Sequence, residues 1–329
     1  MQHVVLTGGC GFLGINLYQY LRTHDYEVSV VDIGDRFKRY EHFYAGSIPI
    51  HRIDLSERVL KFTRKIDFII HLAAWPHVDF SYYLPHICLE NNIMSLIHIA
   101  QFSQRNDIPL ILASSVEVYG GKENCQYDES SPLSPVSSYG VSKKVCEEIL
   151  QIYMAQFSLR AITVRFTNLY GRYQLPDRII PRVITRALLG HTTDIESSFE
   201  RDFLYIDDAV KAVEKIIRNP KYGSIYNISS GQHQSIHEIT DILSKISGFP
   251  CAIDKESKQA KMPRGEHLKI SNRKLISDTG WHPQVRISEG LYKTFLWYKQ
   301  NRSWWHPLRE TLLKDRKTPN YIYDYVTNK

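Results

Sequence analysis

Residues 112–121 read LASSVEVYGG and residues 138–143 read SYGVSK. The first stretch is an apolar run that ends in two serines and a glutamate, and the end of a buried strand is where α/β enzymes place polar groups that do chemistry. In the second, Tyr139 and Lys143 stand four residues apart and so share one face of a helix, where an ammonium can draw a phenol's pKa down until it exchanges a proton with a substrate hydroxyl. A glutamate at a buried strand end is costly unless it is paired or used. Glu117 therefore reads as a catalytic base or as a structural carboxylate. Val116, between Ser115 and Glu117, reads as strand packing and cannot move a proton.

A second group lies at the start of the chain, where Thr7-Gly8-Gly9-Cys10-Gly11-Phe12-Leu13-Gly14 follows an apolar run and precedes a helical pattern. Glycines at 8, 11 and 14 allow a tight turn, close approach of the backbone to a pyrophosphate and close helix packing, and the helix N-terminus adds amide donors and its dipole. The next apolar run ends in Asp32, where a carboxylate would bond the ribose hydroxyls of a dinucleotide. That carboxylate repels a 2′-phosphate and so favours NAD over NADP; Arg36, Lys38 and Arg39 nearby could soften the preference. Asp54 has two readings, a bond to the adenine or the N-cap of a helix over 55–64.

These groups need a scaffold, and the hydrophobic pattern supplies one. Short β-branched runs at 3–8, 27–32, 48–54, 66–74, 109–115 and 161–168 alternate with helical patterns near 12–24, 88–105 and 137–157, the rhythm of an α/β, doubly wound (Rossmann) parallel sheet. Residues 1–170 are expected to form the NAD-binding domain. After about residue 170 come loops rich in Pro, Arg and aromatic residues, helical patterns at 207–218 and 235–247, and a Trp/Tyr-rich tail. This part, 171–329, is expected to be mainly a smaller substrate-binding domain, with some segments returning to the first.

The chain of 329 residues carries a net charge of +6, with its cations scattered among 35 acidic residues. That suits an anionic small ligand and gives no concentrated nucleic-acid footprint. No apolar run reaches the length of a membrane span and no leader pattern precedes the first strand. Five cysteines without CxxC or Cys/His spacing support neither a disulfide framework nor a metal site. A cytoplasmic location is expected.

The glycine-rich start, HLAA at 71–74, the serines at 114–115 and YGVSK together resemble the extended short-chain dehydrogenase/reductase family, the NAD-dependent nucleotide-sugar epimerases and dehydratases, over essentially the whole chain. The resemblance implies a catalytic triad of Ser115, Tyr139 and Lys143. It implies NAD held by Gly8, Gly11, Phe12, Leu13, Gly14, Asp32, Asp54, Leu55, Leu72, Ala73 and Ala74 together with Tyr139 and Lys143. Asn168 and Arg201 would hold the sugar nucleotide, with Arg178 a further nucleotide contact. His77-Val78-Asp79 with Ser81, YQLPDRIIP at 173–181 and WYKQNRSWWHPL at 297–308 look like the dTDP-glucose 4,6-dehydratase branch. His77 reads as a substrate contact or as a structural histidine. For the arginine before Gly280-Trp281 that meets the diphosphate, ungapped counting gives Lys261 and the local motif gives Arg264.

In the dehydratase branch the strand end carries Thr-Asp-Glu, where the aspartic acid protonates the departing C6 hydroxyl and the glutamate removes the C5 proton of a 4-keto sugar. Glu117 matches the base, whereas Val116 stands where the acid would be. Losing a positioned acid costs about 10²–10⁴-fold in its step, so dehydration would need a proton from water or from His77, Asp79, Glu123 or Tyr119. A 4-epimerase needs only Ser115, Tyr139 and Lys143, and a 5-epimerase adds Glu117. The segment YNISSGQHQSI (226–236) looks more like the general epimerase pattern. Decarboxylation of a nucleotide-linked glucuronate tolerates the missing acid but needs a cation, and Asp79 disfavours it. A silent NAD-binding homologue would lose part of the triad, which this chain keeps. The stripe Val141, Val145, Ile149 and Ile152 could be core, and the family pairs such helices across a two-fold axis, so a homodimer is expected.

Overall fold

A computed structural model describes residues 1–33, 40, 50–121, 125–195, 200–254 and 267–313. In chain order the elements are β1 (Gln2–Thr7), α1 (Phe12–Arg22), β2 (Tyr26–Asp32), β3 (Ile50–Arg52), β4 (Phe68–His71), α2 (Val78–Tyr83), α3 (Pro85–Arg105), β5 (Leu110–Ser115), β6 (Gln126–Tyr127), α4 (Ser138–Phe157), β7 (Ala161–Phe166) and β8 (Asn168–Tyr170). Then follow α5 (Ile179–Ala187), β9 (Thr193–Ile195), β10 (Glu200–Tyr205), α6 (Ile206–Arg218), β11 (Ile225–Ile228), β12 (His233–Ser235), α7 (Ile236–Ser247), β13 (Ala252–Asp254), β14 (His267–Ile270), α8 (Arg273–Thr279), α9 (Ile287–Gln300) and α10 (Arg302–Leu313).

Seven parallel strands form the main sheet in the order β11-β7-β5-β4-β1-β2-β3. This is the expected doubly wound architecture, and the order reverses between β1 and β4, so the crevice beyond their carboxyl ends is the place for a ligand. Strands β1, β5 and β7 are apolar on both faces because helices cover both sides. The seventh strand, β11, comes from the second half of the chain. A second sheet runs β12-β10-β14-β6, with β8 on the other part of β10, and β9 pairs with β13.

Several expected elements have other bounds. The run 66–74 is a strand only over Phe68–His71, because 72–74 turn away to line a cavity. The 55–64 segment is no helix: Asp54 caps one turn, its carboxylate accepting from the Ser56 amide at 2.9 Å and its carbonyl from the Arg58 amide at 3.0 Å. The apolar stripe of α4 is not core throughout, since Val141 is 38% and Ile152 55% exposed. No helix among the described residues is long and apolar enough to cross a membrane. All five cysteines are free thiols.

Helix α4 is fixed to the sheet by a buried ion pair. Glu147 receives Nε and Nη2 of Arg165 from β7 at 3.0 and 2.6 Å and also accepts the Ser114 hydroxyl. Arg165 Nη1 donates to the Tyr119 hydroxyl at 2.8 Å, and that hydroxyl donates to Asn227 at 2.8 Å. Removing one partner of such a pair leaves an unpaired charge in the interior. Glu147→Ala is expected to lower the unfolding free energy by about 3–5 kcal/mol, read by urea denaturation, and replacing Glu147 and Arg165 together by methionine should recover most of that loss.

Candidate active site

A cavity of about 980 Å³ opens beyond the carboxyl ends of β1, β2, β4 and β5 and extends under β8, α5 and β10. Its first wall is the glycine turn. Gly8 has a positive φ of 67°, and a Cβ there would fall 2.6 Å from the Ala73 amide nitrogen; at Gly14 it would fall 2.5 Å from the Gly9 carbonyl oxygen. Side chains at these positions would push β1, the 72–74 loop and α1 apart. At Gly11, the N-cap of α1, a Cβ would meet only the Gly8 carbonyl, and no side chain caps the helix. The first-turn amides of α1 therefore face the cavity, the arrangement that receives a pyrophosphate.

Asp32 ends β2, buried, with one carboxylate oxygen on the Cys10 amide at 2.8 Å. Phe12, Leu13, Asp54, Leu55, Leu72, Ala73 and Ala74 border the same wall; Asp54 lines the cavity and caps a single turn in place of the expected helix over 55–64. Glycine cradle, uncapped helix end and ribose-level carboxylate fit a dinucleotide. Arg36, Lys38, Arg39, Glu123, Lys261 and Arg264 lie outside the described residues.

The second wall carries Ser115, Tyr139 and Lys143. Ser115 ends β5, and its Oγ accepts the Glu117 amide at 3.2 Å, starting a short 3-10 turn over Val116–Tyr119. Tyr139, in the first turn of α4, is buried, and burial is the main influence pushing its pKa up, aided by Glu117; a hydrogen bond with Ser115 and the charge of Arg178 pull it down. Lys143 donates from Nζ to the Ala113 carbonyl at 2.8 Å. Burial draws its pKa down, while Cys146, Cys88 and Glu147 oppose that. Ser115, Tyr139 and Lys143 border one cavity; the groups that lower the phenol's pKa are Ser115 and Arg178, and the ammonium is engaged with backbone.

Residues 75–80 close over Tyr139. Trp75, Cys88 and Tyr139 pack together with Val78 and Phe80 against them. Asn92 of α3 fixes this loop by accepting the Trp75 amide at 2.7 Å and donating to the Ser142 hydroxyl at 2.8 Å. Within the loop, His77 stacks on Phe80 at 4.5 Å and its Nε2 lies 3.6 Å from Asp177. Arg178 donates to the Pro76 carbonyl at 3.0 Å.

The third wall holds Glu117 and Arg201, whose charged groups are 3.9 Å apart, and Asn168, which donates to the Asp202 carbonyl at 3.2 Å. Val116 borders the cavity too, yet it is 1% exposed and packs with Val118, Tyr127, Leu268 and Ile270. Tyr119 is engaged with Arg165 and Asn227, and burial pushes its pKa up to about 12.

Sequence reasoning missed Asp177 as the partner of His77, because nothing local joins two residues so far apart in the chain. It also missed Arg182 on the cavity wall, although its place one helical turn after Arg178 in a helix lining the site was a usable signal. The tail had only been matched by motif, and its work is mechanical. Trp297 meets Tyr173 edge-on at 5.0 Å and Trp304 at 5.1 Å, Tyr298 bonds the Gln174 carbonyl, and Trp305 Nε1 donates to the Tyr298 carbonyl at 2.7 Å. The tail thereby holds the loop that delivers Asp177 and Arg178.

A doubly wound sheet whose crevice joins a dinucleotide cradle to a serine, a tyrosine and a lysine is the architecture of a dinucleotide-dependent enzyme. Residues 4–229 match the NAD dependent epimerase/dehydratase family, and the chain belongs to that family. It is 29% identical over 322 residues to a dTDP-glucose 4,6-dehydratase of Mycobacterium tuberculosis, covering 93% of this chain and 96% of the relative. Among solved structures it resembles DesIV, the dTDP-glucose 4,6-dehydratase of Streptomyces venezuelae with NAD and TYD bound, at a TM-score of 0.84 and 26% identity over 93% of this chain and 100% of the other. A UDP-N-acetylglucosamine 4-epimerase of Methanobrevibacter ruminantium, in complex with UDP-N-acetylmuramic acid, gives a TM-score of 0.84 and 25% identity over 91% of this chain and 98% of the other.

Beside this site Asp202 is wholly buried, and burial pushes its pKa up to about 7 against hydrogen bonds from Ser230 and Thr167. A folded carboxyl that holds its proton above the unfolded range binds more protons than the unfolded chain between about pH 4 and 7. Its contribution to stability is therefore lost as pH rises through that window. The difference in unfolding free energy between the native chain and Asp202→Asn should slope across pH 4 to 7 and flatten above it, read by urea titrations at each pH.

Proposed function

We propose that this chain is an NAD-dependent nucleotide-sugar enzyme acting through a 4-keto intermediate, with 4,6-dehydratase-like chemistry on an NDP-hexose. The observation that carries this reading is the meeting of Ser115, Glu117, Tyr139 and Lys143 in one cavity, with the glycine cradle on one side and Asn168, Arg178 and Arg201 on the other. The relatives named dTDP-glucose 4,6-dehydratase, matching over nearly the whole chain, support it.

Bound NAD supplies an acceptor for the hydride of sugar C4 and later its donor to C6. In this reading residues 1–170 hold the cofactor and 171–329 mainly the sugar nucleotide. Tyr139 takes the C4 hydroxyl proton, Ser115 orients that hydroxyl and with Arg178 favours the phenolate against burial, and Lys143, anchored on the Ala113 carbonyl, holds the cofactor. The new ketone acidifies C5–H, which Glu117 removes. Asn168, Arg178, Arg201 and His77 position the sugar nucleotide, Arg201 as a cation for the diphosphate. The exposed apolar face of α4 serves a homodimer.

Epimerisation is the second reading, favoured by one observation: Val116 is packed among apolar side chains where a dehydratase would carry its acid. Incubation with NAD and dTDP-, UDP-, GDP- and CDP-hexoses in D₂O, read by mass spectrometry and proton NMR, separates the two. Loss of one water with deuterium at C5 is expected. An isomer of unchanged mass and no C5 exchange would instead establish a 4-epimerase, and one with C5 deuterium a 5-epimerase. Tyr139→Phe should lower turnover about 10²–10⁴-fold in either case.

A further inference from the structure

We propose that His77, held by Asp177, is the general acid that protonates the departing C6 oxygen, in the role that Val116 cannot fill. The proposal rests on the dehydratase reading and adds the residue that reading lacks. One of the other side chains able to give a proton is set aside by what surrounds it. Tyr119 has its hydroxyl tied to Arg165 and Asn227.

His77 meets the requirements of geometry and charge. It lies in the loop that packs onto Tyr139 through Trp75, Val78 and Phe80, and it borders the same cavity as Ser115 and Glu117. Stacking on Phe80 fixes the ring plane. Its Nε2 is 3.6 Å from the Asp177 carboxylate, and both side chains are largely withdrawn from solvent. A neighbouring carboxylate favours the imidazolium, the form with a proton to give, and imidazole is the side chain that gives and regains one near neutral pH.

The step balances. Glu117 takes the proton from C5, the C5–H electron pair forms the C5–C6 double bond, the C6–O bond breaks, and the oxygen leaves as water with the His77 proton. The proton on Glu117 exchanges with solvent, and after hydride reaches C6 Glu117 delivers a solvent-derived proton to C5. His77 recovers a proton from solvent, matching the one that Tyr139 took from the C4 hydroxyl and releases there.

The test is a single turnover of the NAD-loaded protein with dTDP-glucose in D₂O, following reduced cofactor by absorbance and water loss by mass, in the native chain and in His77→Asn. The variant is expected to accumulate reduced cofactor and exchange C5, while losing water about 10²–10⁴-fold more slowly. A 6-deoxy-6-fluoro analogue, whose leaving group depends less on protonation, should restore most of the elimination rate in the variant. Asp177→Asn should show the same selective slowing to a smaller degree. Water loss within threefold of the native rate in His77→Asn, or equal slowing of the hydroxyl and fluoro substrates, overturns the assignment. Failure of the native chain to lose water from dTDP-, UDP-, GDP- or CDP-glucose overturns the dehydratase reading itself, and the acid with it.

Discussion

One charge pair without access to water sets the relative positions of nearly everything the site uses. Glu147 lies one helical turn beyond Lys143, Ser114 directly precedes Ser115, and Tyr119 follows Glu117 by two residues; all three are bonded to Arg165 or to its partner. Burying two ions costs several kcal/mol each unless the geometry is close and every remaining donor is satisfied. Here the bidentate contact, the serine hydroxyl and the tyrosine hydroxyl satisfy them, so α4, β5 and β7 share a single preferred arrangement.

The sheet was legible because both its faces are covered: continuous β-branched runs between amphipathic helices have no other economical burial. The cofactor cradle was legible for a similar reason, since Gly8 and Gly14 sit where backbone meets backbone and no side chain fits. Other features depend on contacts between distant segments. That β11 would complete the main sheet, that Asp177 would reach His77, and that Lys143 would face the Ala113 carbonyl are matters of tertiary placement. The stripe on α4 shows the limit of periodicity, which identifies an apolar face but not what covers it. Val116 combined both cases, for its type excluded acid chemistry at once, while its packing against β14 emerged only with the fold.

Tyr139 sits between opposing influences on its ionisation. Burial favours the neutral phenol, and the influences opposing it come from a serine on β5 and an arginine at the N-terminus of α5. The proton-accepting form thus answers to elements from both halves of the chain, and ligands that bring charge or displace water into the cavity act on that balance directly.

The clamp made by Trp297, Tyr298, Trp304 and Trp305 on the loop at 173–175 bears on how the molecule comes into being. In synthesis the glycine cradle emerges well before these aromatic residues. A nascent chain can therefore pair β1, β2 and β4 while the wall carrying Asp177 and Arg178 still lacks its anchor. Completion of the cavity wall thus waits for the tail, and the two sides of the cavity are assembled at different times.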